Sequence, residues 1–211
     1  MKHTIKILSF FLACICLFCL LTGCSATDDS PSDDKPKKTK GPTPTPISRI
    51  GEEQLQYPAE NDEFKYNVYE TYVEIDEYIG EAENVIVPAT IENFPVKVVG
   101  GFYFNDIIKT VTLPEGIIII QNSAFDKCKK LESINIPESI IEIGDSAFYD
   151  CVSLKSLTIP KGVTKIGSRA FGICQGYSLV DSFVVKFYKG SAAAAYVADS
   201  AFDIQYEIID K

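Results

Sequence analysis

Residues Cys128-Lys-Lys-Leu131-Glu-Ser-Ile134-Asn-Ile136-Pro137-Glu-Ser-Ile140-Ile-Glu-Ile143-Gly144-Asp-Ser-Ala147-Phe148-Tyr-Asp-Cys151 decide the fold of this chain. The same pattern precedes it, from Lys109-Thr-Val-Thr-Leu-Pro114 through Ser123-Ala-Phe125-Asp-Lys-Cys128. It follows again from Lys155-Ser-Leu-Thr-Ile-Pro160 through Arg169-Ala-Phe171-Gly-Ile-Cys174. Pro114, Pro137 and Pro160 are 23 residues apart, as are Phe125, Phe148 and Phe171, and Cys128, Cys151 and Cys174. A period of this size specifies a solenoid, because one unit cannot bury its apolar face alone and must stack on its neighbours.

Within a coil, Leu131, Ile134, Ile136, Ile140, Ile143, Ala147, Phe148 and Cys151 are predicted to point inward, with equivalent residues about 4.8 Å apart on parallel strands. Phe125, Phe148 and Phe171 then form a buried ladder. The three cysteines become small apolar core residues, a setting that suits a free thiol. Outside the regular repeats the pattern weakens. Val85-Ile-Val-Pro88 matches Ile134-Asn-Ile-Pro137, and Val96-Lys-Val-Val-Gly100 matches Ile140-Ile-Glu-Ile-Gly144. Pro88 lies 26 residues before Pro114, so the turn at Ile91 to Pro95 carries an insertion. Counted from its glycine, Phe104 takes the place of Phe148. Gln121 replaces the glycine seen at 144 and 167, so that turn is predicted to form without glycine's freedom.

The ends read differently. Phe64, Tyr66 and Val68 alternate with polar residues, and Tyr72-Val-Glu-Ile75 follows after a short turn, which predicts a hairpin covering the first coil. At the far end, Ser182-Phe-Val-Val-Lys-Phe-Tyr188 reads as a last coil strand. A helix over 192–199 is capped by Ser191, and a closing strand covers 204–209.

Before the repeats, Met1-Lys2-His3-Thr4-Ile5-Lys6 is a basic start to an apolar run of 15 residues, Ile7 to Leu21. That is signal-peptide length and short for a membrane span. It ends in Leu21-Thr22-Gly23-Cys24, which resembles the bacterial lipobox. The resemblance implies removal of residues 1–23 and lipidation of Cys24, with the chain held at the extracytoplasmic face of a bacterial cell membrane. Residues 24–59 are rich in Pro, Thr, Lys and Asp. They are expected to be a disordered linker, because they carry too little apolar surface to offset ordering entropy. The repeat domain is expected over 60–211.

Charge and composition narrow the function. Losing Lys2 and Lys6 leaves 18 basic against 29 acidic residues, a net charge of −11. That disfavours nucleic acid as a partner. His3 is the only histidine, so a chain beginning at Cys24 lacks the usual general base and the commonest transition-metal ligand. No cysteine spacing suits zinc. No metal site, cofactor or catalytic residue is expected, and carboxylates such as Glu142 and Asp145 read as solvated groups.

The pattern Cys-x-x-Leu-x-x-Ile-x-Ile-Pro-x-x-(Ile/Val)-x-x-Ile-Gly-x-x-Ala-Phe-x-x-Cys resembles the BspA-type bacterial leucine-rich repeat. The resemblance implies a mainly β leucine-rich-repeat solenoid of about 23-residue coils with little helix, an N-terminal hairpin cap and a C-terminal helix-strand cap. It implies a surface lipoprotein that binds a protein or a surface glycan, most often in adhesion, and it supplies no catalytic residues. The other reading is a structural or assembly subunit paired with another envelope protein of the same cell.

Two faces are candidates for binding. On the second strand of each coil Ile118, Ile119 and Ile141 are expected to point outward as an apolar patch rimmed by Glu142 and Lys165. On the first strand the outward positions form two polar rows, Thr110, Ser133, Ser156 and Thr112, Asn135, Thr158.

Overall fold

The computed structural model describes residues 53–176 and 178–209. The expected signal peptide, Cys24 and the linker up to residue 52 lie outside the described residues. Among the described residues no helix is long and apolar enough to cross a membrane.

The alternation around Phe64 folds as expected into an antiparallel pair, and a third strand joins it. β1 (Tyr57–Glu60) pairs with β2 (Phe64–Val68), which pairs with β3 (Val73–Tyr78). The linker was expected to reach residue 59, so β1 moves the start of the ordered domain. Its composition is polar, but its edge is bonded: Gln56 N–H donates to Val68 O, and Glu53 accepts from the Thr71 hydroxyl. Main-chain pairing holds this segment, and a count of apolar side chains does not register it.

The first coil contains β4 (Asn84–Ile86), β5 (Thr90–Ile91) and β6 (Phe94–Val99). The expected insertion is the β5–β6 hairpin, turned by Glu92 and Asn93 at φ 51° and 69°. Two consecutive positive φ values are what a tight hairpin needs. The following coils each supply two strands: β7 (Thr110–Thr112) and β8 (Ile119–Ile120), β9 (Ser133–Ile134) and β10 (Glu142–Ile143), β11 (Ser156–Thr158) and β12 (Lys165–Ile166). A short antiparallel pair, β13 (Ile173–Cys174) with β14 (Ser178–Leu179), breaks the repetition. β15 (Val184–Tyr188), helix α1 (Ala192–Asp199) and β16 (Gln205–Ile209) end the domain. β15 pairs with β11 in parallel, so it is the last coil strand expected from the sequence, and Ser191 caps α1 through the Ala194 N–H.

The second strands form one unbroken path, β1-β2-β3-β6-β8-β10-β12. The first strands form two separate sheets, β4-β7-β9 and β11-β15-β16.

The core is a column of rings. Phe64 packs on Tyr78, Tyr78 on Phe102 at 5.4 Å, Phe102 on Phe125 at 4.8 Å, and Phe125 on Phe148 at 5.2 Å with ring planes 2° apart. Beyond Phe148 the buried Phe171 ring packs on Phe183 and on Tyr196 of α1, at 6.2 and 4.6 Å, so each terminal segment places an aromatic ring against a phenylalanine of the coils.

Phe102, and not Phe104, holds the ladder position in the first coil. Ile86 pairs with Thr112, 26 residues on; Val99 pairs with Ile120, 21 on; Phe102 stacks on Phe125, 23 on. The hairpin adds five residues and the next turn drops two, so counting from Gly100 lands on the wrong phenylalanine. Phe104 is 61% exposed, with Lys127 Nζ 4.4 Å from its ring. The short turn is built by Gly101 at φ 74°.

Gly144 and Gly167 answer the question raised by Gln121. Neither has a positive φ. A Cβ on Gly144 would sit 2.4 Å from Asn122 N, and one on Gly167 would sit 2.3 Å from Asp145 N. These glycines permit close stacking of turns, and turn conformation is not their role. Beneath Gln121 the matching room is provided by Gly100, where a Cβ would meet the Gln121 amide.

Cys128 and Cys151 are buried free thiols whose Sγ atoms donate to Phe102 O and Phe125 O at 3.0 and 3.1 Å. Burial pushes the Cys128 thiol up to about 12 and the Cys151 thiol well above its ordinary value. Cys174 was expected to join them and does not. It falls in the β13–β14 pair, half-buried, with Sγ 3.1 Å from Ser178 Oγ. In residues 25–211 a thiol reagent at neutral pH should therefore label Cys174 alone, with all three labelled after denaturation. Fast native labelling of Cys128 or Cys151 would contradict the inward assignment.

Candidate functional site

The two candidate faces differ sharply once folded. On the second-strand sheet, register places Val98, Ile119, Glu142 and Lys165 in one row. Ile118 was expected to point outward and is buried, at 8% exposure. Its backbone lies between two neighbouring coils, with its N–H donating to Lys97 O and its carbonyl accepting from Ile141 and Glu142. The chain is still turning into β8 at this point, so strand alternation does not yet apply. Ile119 and Ile141 are half-buried. Glu142 accepts from Lys165 Nζ at 2.7 Å, and this bond holds the lysine pKa above its ordinary value. Asp145 is also engaged, since its Oδ1 accepts from Ser168 N–H. An apolar patch of three isoleucines is therefore not present, and the two carboxylates read as solvated groups both hold structural bonds.

The first-strand face is polar and open. Thr112, Ser133, Ser156 and Thr158 are exposed, and Thr110 is half-buried with its hydroxyl donating to Asn84 Oδ1 at 2.7 Å. The rows run in register through Asn84, Thr110 and Ser133, and again through Ser156, Val184 and Gln205. Among the described residues the hydroxyls of Ser133, Ser156 and Thr158 have no hydrogen-bond partner. Asn135, the remaining member of these rows, is occupied. Its Oδ1 accepts from Leu113 N–H and its Nδ2 donates to Leu113 O, both at 2.8 Å.

Between Ser133 and Ser156 the two first-strand sheets part, leaving a cleft of about 350 Å³. Glu132, Ser133 and Asn135 line one side, and Lys155, Ser156 and Thr158 the other. Glu132 and Lys155 hold the same repeat position on opposite lips. The sequence reading named four of these six residues and missed the cleft itself. One signal for it exists: Asn135 stands where the adjacent coils carry Thr112 and Thr158.

A larger hollow, about 700 Å³, lies between β12 and α1, bordered by Arg169, Tyr196, Asp199 and Phe202. It forms where the coil path ends and the helix crosses over. Of the candidate residues only Lys165 reaches it. Among the described residues no cluster of His, Cys, Asp or Glu is placed to hold a metal ion.

Residues 81–183 match the model of the BspA type leucine rich repeat region, in six copies. Among solved structures the chain is similar to a leucine-rich repeat protein from Bacteroides capillosus, at 25% identity and TM-score 0.52 over 62% of this chain and 97% of that one. It is also similar in fold to the leucine rich repeat protein of T. pallidum, at 20% identity and TM-score 0.50 over 72% of this chain and all of that one. No curated protein matches it.

Proposed function

Given that residues 81–183 are BspA-type leucine-rich repeats, we propose that this chain is a lipid-anchored surface protein that binds another macromolecule through its first-strand face and carries out no catalysis. The cleft between Ser133 and Ser156 carries this reading. It gathers unpartnered hydroxyls and two opposite charges on an exposed face, and solenoid proteins bind through such extended stacked surfaces. Adhesion or protein–protein contact is the use that such a surface serves. Cys24 supplies the anchor, and residues 25–52 separate it from the domain.

The experiment uses residues 25–211 as bait against surface extracts of the producing cell and of host tissue. The partner recovered by the native bait should be lost at least about tenfold by a Ser133→Arg/Ser156→Arg variant, since a well-packed contact is worth about 1–3 kcal/mol and 1.4 kcal/mol is a factor of ten. The variant's melting temperature should be unchanged, because both side chains face solvent. In the full chain, Cys24→Ala should release the protein from the membrane fraction. Equal capture by the double variant would move the site off this face, and membrane retention of Cys24→Ala would remove the anchor.

A further inference from the structure

Stacked coils should be joined by backbone ladders on both strand faces. On the second-strand face they are: Ile141 and Thr164 N–H donate to Ile118 O and Ile141 O, and Gly144 and Gly167 N–H to Ile120 O and Ile143 O. On the first-strand face the ladder stops. β9 pairs with β7, β11 pairs with β15, and no backbone hydrogen bond joins β9 to β11.

The cause lies one residue beyond β9. In the first coil Val87 N–H donates to Thr112 O, and in a late one Ile159 N–H donates to Lys186 O. The equivalent donor, Leu113 N–H, should reach the Asn135 carbonyl. It bonds the Asn135 side-chain Oδ1 instead, and Asn135 Nδ2 returns a bond to Leu113 O. The side-chain amide has taken the place of the main chain. β9 therefore ends at Ile134, and its backbone leaves the register that β11 would require.

The seam exposes a defined set of groups. Alternate residues of a parallel strand bond to opposite neighbours. Lys155 O and Ile159 N–H face β15, so Ser156 and Thr158 turn their main-chain N–H and C=O into the seam. Ser133 N–H is spent on Lys109 O, so Ile134 turns its own pair in from the other side. Both donors and acceptors thus line the cleft, with Glu132 and Lys155 on its two sides.

We propose that this seam, held open by Asn135, is a recognition slot for an extended peptide segment, whose main-chain amides bond those of Ile134, Ser156 and Thr158. This rests on the reading of the first-strand face as the binding face. The alternation of donor and acceptor matches a polypeptide backbone, as in strand addition to a sheet edge. No aromatic ring lines the cleft to stack a sugar.

The probe is the acetylated and amidated pentapeptide Lys-Ser-Leu-Thr-Ile, the sequence of residues 155–159, titrated into residues 25–211 with amide resonances followed by NMR. Saturable shifts are expected at Ile134, Ser156 and Thr158. The same peptide N-methylated at alternate amides should bind at least tenfold more weakly. Asn135→Thr, the residue of the neighbouring coils, should close the ladder and cost at least tenfold in affinity. If that variant does not fold, the methylated pair decides. Equal binding by the methylated peptide, shifts confined to other surfaces, or full binding by a folded Asn135→Thr would each overturn the slot. So would an oligosaccharide such as chitohexaose shifting those amides when the peptide does not. If the peptide fails while Ser133→Arg/Ser156→Arg still loses its partner, the slot is wrong and the face stands. If the peptide binds while the double variant keeps its partner, the functional reading of the face fails.

Discussion

Phe148→Ala should destabilise the domain by about 3–5 kcal/mol, the usual cost of removing a fully buried ring. Phe148 is 1% exposed, and its ring lies flat against Phe125 in the core of the central coil. Neighbouring coils cannot close the resulting void without breaking the strand pairing on either side, so relaxation recovers little. The loss is a large part of a domain's net stability of about 5–15 kcal/mol. Urea unfolding followed by circular dichroism measures it. Phe104→Ala is the control: that ring is solvent-exposed and touches only surface neighbours, Lys127 and the edge of the Tyr103 ring, so the cost should stay within about 1 kcal/mol. Equal losses for the two variants would mean that the alignment of the first coil is wrong.

Gly101→Ala should be as damaging, by a different route. Gly101 has φ 74°, and a Cβ there would lie 1.7 Å from Asp76 O and 2.5 Å from Glu77 Cα. Both are backbone atoms of β3, so no side chain can swing aside. Tyr78 N–H donates to Gly101 O across the same contact. The substitution must push the three N-terminal strands away from the first coil, uncovering Phe102. A loss of about 4 kcal/mol or more is expected, in the range reserved for overpacking and strained backbone. Amide exchange should show the loosening in β1 to β3 first. A melting temperature within a degree or two of the native protein would refute the close approach.

The regular coils were legible because each inward position is repeated three times. Phe125, Phe148 and Phe171, and the prolines that close each first strand, state the period without reference to anything else. Legibility failed where the period was disturbed by two changes at once. An insertion in the hairpin and a shortened turn at Gly101 offset one another, and only pairing register separates them. Ile118 and Cys174 failed at the edges of the pattern: Ile118 precedes β8, where alternation does not yet apply, and Cys174 falls in the β13–β14 pair that breaks the repetition. β1 is held by main-chain bonds, which composition does not register.

The candidate site was half legible. The outward rows Thr110, Ser133, Ser156 and Thr112, Asn135, Thr158 follow from strand alternation alone. That Asn135 turns back onto Leu113, and so parts two strands, depends on a side-chain rotamer that no periodicity encodes.

Hydrogen exchange of the native, unliganded domain tests the central claim most directly. A solenoid with one continuous and one interrupted ladder predicts slow exchange at Ile141, Gly144, Thr164 and Gly167, whose amides bond the neighbouring coil. It predicts exchange faster on the order of 100-fold at Ser156 and Thr158, which face the seam, because exposed and unbonded amides sit at the low end of local stability. Protection of Ser156 and Thr158 equal to that of Thr164 and Gly167 would show the ladder closed, and the binding cleft would not exist.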